Sequence, residues 1–285
     1  MAPGKRAGGA FVAAPTGGTD GGTTAASIVA QGPVAARESG DAAAGSWPAW
    51  ARPQLRHAVE LAEAAPDHLG IARLLYREWF SPEVPHASAV SAGPLVGTYR
   101  AAHAGSRREI RAGELSVVDR ADLLGPDGWW RTWGRSWAPP RSRRGSIRLT
   151  LTPRADRVSD LVATVTGMLL ASELPWSLGC AVRPRRLARL GAAVLDLPGL
   201  DAAPAGLLDA LVPLLHPVAP PLCQPVRPGI GLTEYPDNGM TFGEHRCHLV
   251  ALALRHPGSA ADPLRTIAAV FAAHDIDPAR PYANR

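Results

Sequence analysis

The residues whose types and spacing could carry chemistry crowd into one stretch, TEYPDNGMTFGEHRCHLVALAL, from Thr233 to Leu254. Thr241-Phe242-Gly243-Glu244 has the T-x-x-E form of a capping box, so a helix is expected to begin at Phe242. His245 and Arg246 then fall in its first turns, where unsatisfied backbone N–H groups and the helix dipole favour anions. With the Thr241 hydroxyl, and with Gly243 letting a ligand approach the backbone, the place suits a phosphate or carboxylate. The alternative is a capped helix whose polar first turn is simply solvated. His245 and His248 are three apart and could share a face, but without a third ligand no metal site is expected. Cys247 is not read as a nucleophile, because sequence neighbours on a helix do not face each other.

Other catalytic patterns are missing. There is no GxSxG, HExxH, P-loop or GxGxxG, and no cofactor is expected. The only lysine is Lys5; every other fixed cation is an arginine. Arginine does not deprotonate in proteins, so it clamps phosphate and carboxylate well and serves poorly as a base.

Composition bounds the rest. The 285 residues suffice for a substantial core, and 46% of them are hydrophobic. The net charge of +5 is too mild to point to nucleic acid. Cys180, Cys223 and Cys247 are odd in number and far apart, which favours buried free thiols in a reducing, cytoplasmic setting over a disulfide framework. No apolar run approaches the roughly 18 residues a bilayer span needs, so no membrane is expected.

These residues must be positioned by a fold. Residues 1–48 are small, polar and glycine-rich and read as a disordered leader; residues 49–285 read as one α+β domain of short strands packed with helices. Pro53 to Phe80 reads as two helices broken at APDHLG. Four tryptophans between Trp129 and Trp137 read as a strand or turn walling the core, or as a stacking platform. Strands are expected at 146–152, 175–182, 192–197 and in GIGLTEY. One helix is expected after Pro153, with Thr152 as its N-cap, and another over 201–215. APPLCQPVRPG reads as a proline-rich loop, and the last helix starts with Asp262 as N-cap and Pro263 at its first position.

The stretch VRPGIGLTEYPDNGMTFGEHRCHLVALAL resembles the signature of the HopA-type effector family, through Pro228-Gly229, Gly231, Glu234, Pro236, Gly239, Thr241-Phe242-Gly243 and His245-Arg246-Cys247. The ending DIDPARPYANR, the segment LLYREWFSP and the middle section from LTPRAD to VLDLP are similar to the same family. Some members are effectors delivered by bacterial pathogens. Others are the lyase component of split lanthipeptide (class V) or thioamitide dehydratases, and the composition suits this second setting. There a kinase-like phosphotransferase subunit phosphorylates Ser or Thr of a precursor peptide, and the HopA-like subunit eliminates phosphate to leave dehydroalanine or dehydrobutyrine. The resemblance thus implies a phosphorylated precursor peptide and a kinase-like subunit as partners. Elimination needs cations for the leaving phosphate, a base for the α-proton and a donor for the developing enolate. Arg246, Thr241 and Gly243 would bind phosphate, and His245 and Glu234 are the candidate catalytic groups. On this reading Arg246→Ala loses phosphopeptide binding with the fold intact.

The chain departs from the family where a lysine base is expected: Pro175-Trp176-Ser177-Leu178 is followed by Gly179. A tyrosine, an aspartate and a second tyrosine expected downstream appear as Leu187, Gly191 and Asp196. Two readings follow. Either Glu234 or a histidine takes over as base, or the chain is a non-catalytic partner that binds phosphopeptide or supports the kinase-like subunit.

Overall fold

The computed structural model describes residues 47–84, 95–105, 114–121, 126–137, 146–234, 236 and 240–284. Residues 1–46 of the expected leader, the basic loop 141–144 and Gly239 of the signature lie outside them, whereas Trp47 and Pro48 belong to the described domain. Among the described residues the chain alternates helices and short strands: α1 (Ala51–Ala62), α2 (His68–Leu74) running into a π turn (Leu75–Phe80), α3 (Leu95–Ala102), β1 (Glu114–Ala121), β2 (Pro126–Trp133), β3 (Ile147–Leu151), α4 (Val158–Leu169), β4 (Ser177–Ala181), α5 (Pro184–Leu187), β5 (Ala193–Leu197), α6 (Leu207–Leu211), β6 (Gln224–Arg227), β7 (Ile230–Glu234), α7 (Phe242–Leu254) and α8 (Pro263–Ala273). The class is α+β, as the sequence implies.

The strands form one seven-stranded sheet in the order β1-β2-β4-β5-β3-β7-β6, antiparallel at every pairing. Alternation along β3 explains its two faces: Leu149 and Leu151 point one way, Arg148 and Thr150 the other. The first face carries a leucine-rich core, with Leu149, Leu151, Leu178, Leu195 and Leu197 packed against Leu161, Val162, Val165 and Leu169 of α4. The opposite face meets a second cluster. Thr150 and Gly231 face Cys223, which packs with α1, α2, α7 and α8. Trp47 closes that cluster, edge-on to Phe271 and donating its indole N–H to the Leu264 carbonyl.

Several expectations change in detail. Thr152 does not cap a helix. Its hydroxyl accepts from Gly191 N, its carbonyl accepts from His216 N, and Pro153 bridges to Leu215; the helical path begins with a 3-10 turn at Ala155–Arg157. The proline at 153 holds residue 152 extended, which continues β3 instead of starting a helix. The helix expected over 201–215 shrinks to α6 and a 3-10 turn, Val212–Leu214, because Gly206 sits at φ +79° and breaks the run. The proline-rich loop contains β6, whose Pro225 is tolerated because β6 is an edge strand. Of the tryptophans, Trp130 is fully buried in the core, while Trp129 lies half-buried on the other face of β2.

Candidate functional site

The sheet register assembles a largely buried polar face that no local motif announces. Directly opposed residues in an antiparallel sheet share a face. One row therefore runs Trp133, Ser177, Asp196, Arg148, Thr233 across β2, β4, β5, β3 and β7. Its centre is a buried ion pair. Arg148 Nε donates to Asp196 Oδ1 at 2.7 Å, Nη2 donates to Oδ2 at 3.1 Å, and the Ser177 hydroxyl donates to Oδ2 at 2.9 Å. A second row, two residues along, runs Arg131, Gly179, Val194, Thr150, Gly231. Gly179 stands where a lysine base is expected. A Cβ placed there would lie 3.1 Å from Val194 Cγ2 and 3.4 Å from both Arg131 Nη1 and Trp129 Cε3. The space over Gly179 is thus shared by Val194, the Arg131 guanidinium and the Trp129 ring.

The residues singled out in the signature do come together, at the end of β7 and the start of α7. The capping box forms as expected: Thr241 Oγ1 accepts from Glu244 N, and Glu244 Oε2 accepts from Thr241 N at 2.6 Å. The carboxylate at this helix N-terminus is therefore the chain's own, on a Glu244 that is almost fully buried. Gly243 leaves no opening for a ligand, since a Cβ there would lie 2.2 Å from Phe80 Cε1; its missing side chain is filled by the Phe80 ring.

Arg246 is fully buried and turns away from solvent. Nε donates to the Pro281 carbonyl at 2.8 Å; Nη2 donates to the Ala283 carbonyl at 3.0 Å and to Asn284 Oδ1 at 3.1 Å; Nη1 donates to His245 Nδ1 at 2.9 Å. Its guanidinium stacks 4.6 Å from the Phe242 ring centroid. Burial pulls its pKa down to about 9 despite the opposing pull of Cys223 and Glu234. Glu234 completes the clamp: its N–H donates to the Tyr282 carbonyl, and Oε2 accepts from Asn284 N. In this arrangement Arg246 and Glu234 hold the segment Pro281–Asn284 against the domain. These contacts give Arg246 a structural role beside the phosphate-binding role expected from the sequence.

His245 accepts from a guanidinium, which can only donate, so the neutral ring carries its proton on Nε2. Burial, then Arg246, His274 and His248, push its pKa down to about 3. His248 is lowered to about 4 by burial and by His68, whose ring centroid is 5.3 Å away and whose Nε2 donates to the His248 carbonyl. All three cysteines are buried and free; burial pushes Cys180 up to about 12 and raises Cys223 and Cys247 strongly, so none is poised as a thiolate. Among the described residues no group of three His, Cys, Asp or Glu could hold a metal ion, and no helix is long and apolar enough to cross a membrane.

Residues 134–283 match the sequence model of the HopA1 effector protein family. Two solved structures share the fold. One is an effector protein from Pseudomonas syringae pv. tomato strain DC3000, with 14% identity, a TM-score of 0.57, and coverage of 82% of this chain and 97% of that one. The other is an effector protein from Pseudomonas syringae pv. syringae strain 61, with 15% identity, a TM-score of 0.55, and coverage of 82% and 96%. A comparison with curated protein sequences finds no match.

Proposed function

We propose that this chain, which belongs to the HopA1 effector protein family, binds the phosphoserine- or phosphothreonine-bearing segment of a precursor peptide, beside a kinase-like phosphotransferase subunit, without itself eliminating the phosphate. The observation that carries this reading is Gly179, with Arg131 Nη1 lying over the place where a lysine side chain would start. A cation is kept there and a base is lost, because a guanidinium does not surrender its proton. The setting in a split lanthipeptide or thioamitide dehydratase follows from the sequence resemblance described above.

The rival reading is that the chain eliminates phosphate with His245 or Glu234 as the base. His245 is neutral, which favours it, but its one unprotonated nitrogen, Nδ1, already accepts from Arg246 Nη1. A ring whose pKa is held near 3 is also a weak acceptor for an α-proton. Glu234 already accepts from Asn284 N.

The experiment is mass spectrometry of a phosphoserine/phosphothreonine precursor peptide incubated with the protein, with and without a kinase-like subunit. The expected result is an unchanged phosphopeptide that co-purifies with the chain. A dehydrated peptide formed by the chain alone overturns the non-eliminating reading.

A further inference from the structure

The guanidiniums nearest the polar face of the sheet fall into two groups. Arg148 is paired with Asp196 in a two-pronged contact. Arg186 donates to Ser81 Oγ and to the carbonyls of Leu190 and Gly191. Arg189 donates to the carbonyls of Arg77 and Ser81 and reaches Glu83. Arg131 differs: among the described residues it has no carboxylate or carbonyl partner, and it is half-buried, so water reaches it. It rests 5.8 Å from the centroid of the Trp129 ring, and Arg186 Cζ lies 5.7 Å from the same centroid.

We infer that Arg131, seated on Trp129 with the Arg186 guanidinium also over that ring, is the residue that takes the phosphate monoester of the bound peptide. This rests on the phosphopeptide-binding reading above and names its ligand. Three features support it. A guanidinium with unused donors forms two parallel hydrogen bonds to a phosphate. A cation–π contact that water reaches is weak, so Arg131 leaves the ring at little cost. The two positive charges around Trp129 suit a dianion better than a single carboxylate. Arg246, by contrast, has each of its guanidinium nitrogens engaged by the chain itself.

The test is calorimetric titration of the full chain with a phosphoserine peptide and with the same peptide unphosphorylated. Wild type is expected to prefer the phosphorylated form, and Arg131→Gln to lose about 10- to 100-fold of that preference. Arg131→Lys is expected to keep part of it. Arg227→Gln, which removes the same charge on edge strand β6, is expected to leave it unchanged. A full preference in folded Arg131→Gln overturns the assignment, and so does an equal loss in Arg227→Gln, which would make the effect one of net charge. If wild type itself shows no preference, the phosphopeptide-binding reading fails, and the assignment with it.

Discussion

Replacing Arg246 by alanine tests the clamp directly. The substitution removes three hydrogen bonds to the segment Pro281–Asn284 and one to His245, together with the stacking on Phe242. Hydrogen bonds to a charged group contribute about 1.5–3 kcal/mol each, but deleting the guanidinium also relieves its own desolvation, and the released segment regains water. The net loss is therefore set by the site as a unit, at about 4 kcal/mol, near the cost of breaking a buried ion pair. In a domain of this size that corresponds to a fall in Tm of about 8–16 °C. Urea unfolding followed by circular dichroism measures it, and carboxypeptidase digestion reports whether the segment 281–284 has come loose. Arg246→Lys is expected to restore less than half, since an ammonium cannot span the fork of acceptors. A loss below about 1 kcal/mol in Arg246→Ala, with the segment still protected, would refute the reasoning.

Three further outcomes are expected. Gly179→Lys is expected to fold at a cost of about 1–2 kcal/mol, since its Cβ crowds Val194 Cγ2 at 3.1 Å. The neighbouring Arg131 should depress the new lysine's pKa, so the variant is expected to dehydrate phosphopeptide; mass spectrometry of a folded but inactive variant would show that more than a base is missing. Gly243→Ala forces a Cβ to within 2.2 Å of Phe80 Cε1 and is expected to cost about 2–3 kcal/mol in urea melts, with Phe80→Leu in the same chain restoring part of it. Acid should weaken the fold through the histidines. His245 and His248 have folded pKa values near 3 and 4, below the ordinary 6.5, so the unfolded chain binds protons first. Stability is then full above pH 6.5, falls as pH drops below it, and stops falling on their account once the folded values are passed. His245 alone accounts for about 2–3 kcal/mol at about pH 4.5, and stability-versus-pH curves of His245→Gln should lose that much of the slope.

The elements that could be read from the sequence are those whose cause is local. Thr241 and Glu244 are three residues apart and close a capping box by themselves; Asp262 caps α8 at Arg265 N in the same way. The leucines of β3, β5 and α4 declare their faces by period. What escaped has its cause far along the chain. Arg246 reads as a surface cation at a helix start until its acceptors, more than thirty residues downstream, are folded against it. The pairing of Arg148 with Asp196 and the approach of Arg131 to Gly179 are products of strand register, which residue types alone do not set. β6 was hidden by Pro225, because an edge position, unlike an interior one, leaves a proline nothing to break.

The strand order has a consequence for how the molecule comes into being. β3 sits between β5 and β7, pairing Leu149 with Leu195 on one side and with Leu232 on the other, and neither neighbour is close to it in sequence. Until both arrive, IRLTL is a strand with one apolar face and two open edges. Closing such long loops delays folding, and the exposed edges recruit other chains while the delay lasts. Refolding from denaturant should then be slow and concentration-limited, with yield governed by dilution, and a charge at Leu149 or Leu151 would remove the sticky segment only by destroying the centre of the sheet.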